Sequence, residues 1–396
     1  MEDRKSYKEE KLGNYILDIA AGPFGSNLKV DCFVSDGFPI IDGANLKGFK
    51  VTDNVTKFVT EEKARSLHRS IAKRNDVVVT ISGNVGQISF IPMDSRYPEY
   101  LVSQRQFRVT FDEKRVYVPY LVYYFHTIEG QHKILSFANQ TGVPALAQPL
   151  KNFRNIDICL PNLQTQKNIA KILEALDDKI ALNNRINHNL EEQAQALYKS
   201  WFVDFEPFKG GKFVDSELGM IPEGWRVGTL SELLEVRYGK DHKALIDGTI
   251  PVFGSGGLMR YAERALFEGE SVLIPRKGTL NNVMYVNGAF WTVDTMFYTV
   301  ERTSNVIKYC HLYLLTQDLA SMNAGSAVPS MTTDILNSLP LLIPSYQVLG
   351  AFNRVVSPIY DARDQREEES NSLSLSRDAI LPQLMSGTLN NAFLTC

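Results

Sequence analysis

The sequence predicts an α+β fold in which two mixed α/β globules are separated by two long helices. The helices are expected to form an antiparallel coiled coil, giving the chain a pseudo-two-fold repeat. Three observations lead there. The stretch from Leu160 to Trp201 recurs in altered form from Ile343 to Leu384. Both copies carry a seam at alternating spacings of four and three residues, and each follows a richer, mostly non-helical segment. Those two segments hold strand-like runs in the same order. A repeat of this length constrains architecture before any local motif is weighed.

The strand-like runs come first. In the first globule they are Phe38 to Ile41, Asp76 to Ile81, Gln87 to Ile91 and Gln106 to Phe111, each bounded by turn residues. The second globule repeats them as Ile250 to Phe253, Ser271 to Ile274, Val283 to Val286 and Met296 to Val300. A helical stretch follows the last run in each, around Pro119 to His126 and Ile307 to Thr316. Gly83 in Ile81-Ser82-Gly83-Asn84 answers Gly278 in Arg276-Lys277-Gly278-Thr279. A shared frame with divergent loops suits two modules for two ligands, because binding residues concentrate on loops held by a rigid scaffold.

Each long helix opens with a matching segment, Leu160-Pro161-Asn162-Leu163-Gln164 and Ile343-Pro344-Ser345-Tyr346-Gln347. The first seam is Ile169, Leu173, Leu176, Ile180, Asn183, Asn187, Leu190, Ala194, Leu197 and Trp201. The second is Phe352, Val356, Ile359, Arg363, Arg366, Ser370, Leu373, Arg377, Ile380 and Leu384. These are coiled-coil a and d spacings. Both seams are apolar at the ends and polar in the middle, and a polar waist is a device for fixing register and direction. The shared waist favours pairing of the helices with each other over two separate amphipathic surface helices. From Gln164 to Phe202 the first helix is expected to run roughly 58 Å at about 1.5 Å per residue.

Composition bounds the function. The chain has 396 residues, 44% of them hydrophobic and 22% charged, with a formal net charge of −3. That length suggests two to four units at roughly 100–200 residues each. The charge carries no whole-chain basic footprint, so any nucleic-acid binding rests on local surface or on partners. Cys32, Cys159, Cys310 and Cys396 are far apart and lack zinc-ligand spacing, which reads as reduced thiols. The mixed charges of Met1-Glu2-Asp3-Arg4-Lys5 lead into no apolar signal segment, and no apolar run approaches the ~20 residues needed to span a bilayer. A cytoplasmic protein without membrane contact is expected.

The chain resembles the specificity subunit of a type I restriction-modification enzyme over essentially its full length. Several stretches carry the resemblance: Leu160-Pro161 followed by Gln164 and Gln166, Ser216-Glu217-Leu218-Gly219-Met220-Ile221-Pro222-Glu223-Gly224-Trp225, and Leu381-Pro382-Gln383-Leu384-Met385-Ser386-Gly387. The first globule lacks the Ile-Pro-x-Gly-Trp opening. The resemblance implies two target recognition domains, residues 1–160 and 208–343, and two helical spacers, residues 161–207 and 344–396. It further implies double-stranded DNA as ligand, two methyltransferase subunits acting on adenines, and motor-nuclease subunits for cleavage. S-adenosylmethionine, ATP and magnesium are then expected on those partners and none on this chain. Two readers one helical turn apart on B-DNA would stand about 34–36 Å apart, a distance paired helices could set.

Base reading needs Arg or Lys for guanine and Asn or Gln for adenine. Loop candidates in the first globule are Ser26, Asn27, Asn45, Lys47, Asn84, Gln104, Arg105, Gln106 and Gln140. In the second they are Lys240, His242, Lys243, Arg260, Arg276, Lys277, Asn281 and Asn282. For each of these the plain alternative is a solvated loop side chain. Ile172, Leu182, Ile186 and Leu375 lie off the seams and are candidates for methyltransferase docking, the alternative being that they broaden the coil's own core.

Catalytic readings are weaker. Phe253-Gly254-Ser255-Gly256-Gly257 lacks the form of a P-loop or a dinucleotide turn and reads as a tight turn after a strand. The triplets Asp177-Asp178-Lys179, Glu61-Glu62-Lys63 and Asp112-Glu113-Lys114 resemble fragments of nuclease metal sites, but charged chains contain such triplets by chance. The first of them is expected as a solvated cluster on a helix. A non-catalytic chain follows. The rivals are a coiled-coil scaffold with two protein-binding globules and a self-sufficient DNA-modifying enzyme.

Overall fold

A computed structural model describes residues 8–139, 144–322 and 330–388. Strands form where apolar and β-branched residues cluster between turns, at Phe38–Ile41, Val77–Thr80, Ile88–Phe90 and Gln106–Phe111. Their counterparts are Ile250–Gly254, Ser271–Pro275, Met284–Val286 and Met296–Glu301. Helices Val118–His126 and Ile307–Leu315 follow the last strand of each set. The long helices span Leu163–Phe202 and Tyr346–Ser386. Packing divides the chain into two compact units, with the cut between Ala181 and Leu182 on one long helix and between Glu369 and Ser370 on the other. Each unit therefore holds one globule and a part of both helices.

In the first unit an antiparallel sheet has the order Ile16–Ala21, Gln106–Phe111, Val77–Thr80, Ile88–Phe90. A second sheet, ordered Phe33–Val34, Phe58–Val59, Phe38–Ile41, Glu99–Val102, Ile71–Lys73, contains one parallel pair with Ile40 opposite Leu101. The second unit repeats the plan. Its antiparallel sheet is ordered Leu234–Tyr238, Met296–Glu301, Ser271–Pro275, Met284–Val286. Its mixed sheet is ordered Gly257–Ala262, Ile250–Gly254, Ala289–Thr292, Phe267–Glu268, with Val252 and Trp291 paired in parallel. Phe107 opposite Val79 is matched by Phe297 opposite Ile274, so the frame is duplicated down to strand register.

The helices pack onto these frames through their seams. In the first unit Ile169, Leu173 and Leu384 share a core with Phe125 and Ile158. In the second, Ala194, Phe352 and Val356 join Tyr309 and Leu341. Every seam position is buried or half-buried. The polar waist is internal as well, since Asn183 is 0% exposed and donates from Nδ2 to Glu369 Oε2 at 2.8 Å. Asn187 Nδ2 donates to the Arg363 carbonyl at 3.2 Å, and the Trp201 ring packs against Phe352 at a tilt. Residue numbers rise on one helix as they fall on the other, which is antiparallel pairing.

One expectation fails here. Asp177 is not a solvated helix residue: its side chain is 13% exposed and bound to Arg377 Nη1 at 2.7 Å. The Tyr123 hydroxyl donates to it from the other side. The helix face looked polar in isolation because the globule that covers it is distant in sequence. Asp178, by contrast, is largely exposed and pairs with Lys50 at 2.6 Å.

Candidate nucleic-acid interface

Four loops meet at one end of the first unit's sheets. They follow the strands Ile16–Ala21, Phe38–Ile41, Val77–Thr80 and Glu99–Val102, and backbone bonds hold them in register. Gly22 N–H donates to the Gln106 carbonyl at 2.8 Å, Ser103 N–H to Ile41 at 2.9 Å, and Ile81 N–H to Arg105 at 2.7 Å. Gly83 sits at φ +90°, a left-handed conformation that glycine adopts without strain. Between the loops lies a cleft of about 550 Å³ lined by Ser82, Asn84, Gln87, Gln104, Arg105 and Gln106, among others.

Ser26, Asn27, Lys47, Asn84, Gln104 and Arg105 are exposed on these loops. Asn45 and Gln106 are not, at 4% and 1% exposure, and the expectation that they reach a groove is corrected. Asn45 Oδ1 accepts the Asp42 N–H at 3.1 Å, while Nδ2 donates to the Thr52 and Asn54 carbonyls at 3.2 and 3.1 Å. Gln106 accepts the Ser103 hydroxyl and stands under the tip that carries Gln104 and Arg105. Both amides brace loops from within. Burial alone would raise the Asp42 carboxyl, but the Lys57 ammonium at 2.7 Å and the Ala44 N–H outweigh it and hold its pKa below the ordinary value. Gln140 lies outside the described residues.

The second unit repeats the loop ties with different side chains. Gly239 N–H donates to Met296 at 2.9 Å, Val293 N–H to Phe253 at 3.0 Å and Arg276 N–H to Thr295 at 2.8 Å. Gly278, at φ +87°, takes the place of Gly83. By these ties Arg276 stands where the first unit has Ile81, and Thr295 where it has Arg105. The two units thus raise their arginines from different loops of one frame.

Lys240, Lys243, Lys277 and Asn281 are exposed, whereas His242, Arg276 and Asn282 are half-buried. Arg276 Nη1 donates to the Asp294 carbonyl at 2.9 Å, and its guanidinium lies 5.6 Å from the Tyr238 ring centroid. That seat orients the side chain without neutralising it. Asn282 Nδ2 donates to the Ser255 carbonyl at 2.8 Å, and Asn281 Nδ2 to Asp318 Oδ1 at 3.1 Å. Arg260 is a correction: it lies on the strand Gly257–Ala262 opposite Val252, not in a loop, and its Nη2 donates to the Leu245 carbonyl. The glycine-rich Phe253–Gly257 segment holds the two-residue turn of that hairpin, Ser255-Gly256, with its other residues on the flanking strands.

Among the docking candidates, Leu375 is 72% and Leu182 42% exposed, and Ile186 is half-buried. Ile172 packs against the first unit's core, so it broadens the packed face of the helix and does not form a free surface. Phe24, which is not a hydrogen-bonding type, is 83% exposed beside the Gln104 loop. Among the described residues no group of three or more His, Cys, Asp or Glu could hold a metal ion. No described helix is long and apolar enough to cross a membrane.

Two copies of one β-frame, each ending in loops rich in amide and basic groups, define a duplicated recognition protein. Residues 34–192 and 222–348 match the type I restriction modification DNA specificity domain, and the chain belongs to that family. The type I restriction enzyme MjaIX specificity subunit of Methanocaldococcus jannaschii is 24% identical over 360 residues, spanning 84% of this chain and 81% of its own. The HindI specificity subunit of Haemophilus influenzae is 21% identical over 320 residues, spanning 59% of this chain and 69% of its own. The crystal structure of the type I S subunit from M. genitalium has the same fold, with a TM-score of 0.58, 16% identity and 96% coverage of both chains. The chain is thus a specificity subunit, which recognises DNA and is not the catalytic component of its complex.

Proposed function

We propose that the two units read the two halves of a bipartite, asymmetric site in double-stranded DNA. Recognition directs two methyltransferase subunits to adenines, and motor-nuclease subunits join for cleavage. S-adenosylmethionine, ATP and magnesium act on those partners, with none bound by this chain. The observation that carries this reading is the matched pair of loop sets: one frame, with Arg105, Gln104 and Asn84 in one copy and Arg276, Lys277 and Lys240 in the other. Such groups fit guanine and adenine edges and backbone phosphates. Leu375 and Leu182 suit the methyltransferase contact, being apolar and exposed on the long helices.

Mapping methylated adenines in the host genome with and without this chain tests the proposal. The expected result is one motif of two unlike half-sites at a fixed gap, lost when the chain is deleted. An unchanged methylation pattern contradicts it.

A further inference from the structure

We propose that Phe24 is a specificity-determining residue of the first unit, making an apolar contact with a base and none with the phosphate backbone. The inference rests on reading the unit as a DNA-recognition module. A single exposed apolar side chain is ordinary on a protein surface. The setting of this one is not.

Phe24 is 83% exposed, and the loop that carries it is closed by a turn. Pro23 precedes it, and the Asn27 N–H donates to its carbonyl at 2.8 Å, closing a turn over Gly25–Asn27. A Cβ at Gly22 would lie 1.9 Å from the Ser103 carbonyl oxygen, and one at Gly25 would lie 2.6 Å from Gln104 Oε1. Gly22 therefore seats the start of the Phe24 turn against the backbone of the tip bearing Gln104 and Arg105, and Gly25 leaves room for the Gln104 side chain.

The second unit supplies an internal control. Gly239 holds the place of Gly22, since its N–H meets Met296 as that of Gly22 meets Gln106. There the next residues are Lys240 and Asp241, so the frame itself does not call for an aromatic ring. Val30, 81% exposed and a few residues further along the same loop, puts an apolar side chain on the cleft that Gln104 and Arg105 line. An apolar side chain presented beside hydrogen-bonding tips reads a thymine methyl group in the major groove or slips between base steps. Both are contacts with a base, and neither involves charge.

The test uses the full chain assembled with its methyltransferase subunits and a duplex carrying the mapped site. Phe24→Ala should weaken binding by about four-fold or more, the factor expected for losing one buried methyl-sized contact. The slope of log affinity against log salt should stay unchanged, whereas each lost phosphate contact lowers it by about 0.9. A uracil-for-thymine scan and 2-aminopurine fluorescence separate the two base contacts. A wild-type penalty at one thymine of a single half-site, absent in the variant, identifies the methyl. Brightening in the wild type alone identifies the wedge.

Phe24→Leu should retain part of the affinity, and neither variant should shift thermal unfolding, because the ring is exposed. Equal binding by wild type and Phe24→Ala overturns this inference alone. So does a loss accompanied by a shallower salt slope, or wild type and variant behaving alike in both the uracil and fluorescence arms. A wild-type assembly that binds no specific duplex would overturn the functional reading itself and this inference with it.

Discussion

Replacing Arg377 by Met should destabilise the first unit by about 3 kcal/mol or more, the lower end of the cost of breaking a buried ion pair from one side. The Arg377 and Asp177 side chains are 17% and 13% exposed and meet at 2.7 Å. Loss of the guanidinium leaves the Asp177 carboxylate in that setting with the Tyr123 hydroxyl. That hydroxyl remains a donor, because burial and then the Asp177 charge push its pKa far above the ordinary tyrosine value. The second contact of Arg377, to a 62% exposed Asp378, should contribute no more than about 1 kcal/mol. Its stacking on Phe49, at 4.9 Å, adds a similar amount. Asp177→Asn together with Arg377→Met removes both charges, so the double variant should be more stable than the sum of the single losses predicts. Denaturant unfolding, with hydrogen exchange of residues 163–181 to localise the effect, reads the cycle. A single-variant cost under about 1 kcal/mol, or strictly additive losses, would refute the reasoning.

Asn45→Ala should cost about 1–2 kcal/mol, as the loss of a cap does, and lower the unfolding midpoint without changing the DNA motif. His311 is buried against the Tyr360 hydroxyl at 2.6 Å, and burial, helped by Arg363, lowers its pKa to about 3. Below its unfolded value near 6.5 the unfolded chain takes up a proton that the folded chain refuses. Stability is therefore retained above that pH and falls as pH drops toward 3, by at most about 1.4 kcal/mol per pH unit for this group. The difference between wild type and His311→Gln across pH 4–6.5 isolates it, and parallel curves would contradict it. Leu375→Asp should weaken methyltransferase assembly in size-exclusion chromatography and leave unfolding unchanged, since the side chain is 72% exposed.

Much of the frame was legible because its signals are local. Phe38–Ile41 and Gln106–Phe111 are short apolar runs between turns, and the seams repeat at helical spacing. The first strand of each antiparallel sheet carries a weaker local signal. Ile16–Ala21 alternates poorly, with burial broken by Leu17 and Asp18 facing outward together, and Leu234–Tyr238 carries two charged residues in five. Both gain their place from pairing with Gln106–Phe111 and Met296–Glu301, distant in sequence.

The candidate interface was readable in residue type and less so in role. Asn45, Gln106 and Arg260 have the chemistry of base readers, yet partners elsewhere in the fold hold them as braces. Phe24 runs the other way: an aromatic side chain is ordinarily a core residue, and here it stands 83% exposed on a turn whose Gly22 packs against the Ser103 backbone. Burial depends on what folds back over a side chain, which spacing alone does not encode.

Whether each unit reads its own half of the site is decided by methylated-adenine mapping of Arg105→Ala and Arg276→Ala side by side. The expected result is relaxed sequence at one half-site for the first variant and at the other half-site for the second, with the gap unchanged. Loss at the same half-site in both, uniform loss across the whole motif, or no change in either would contradict it.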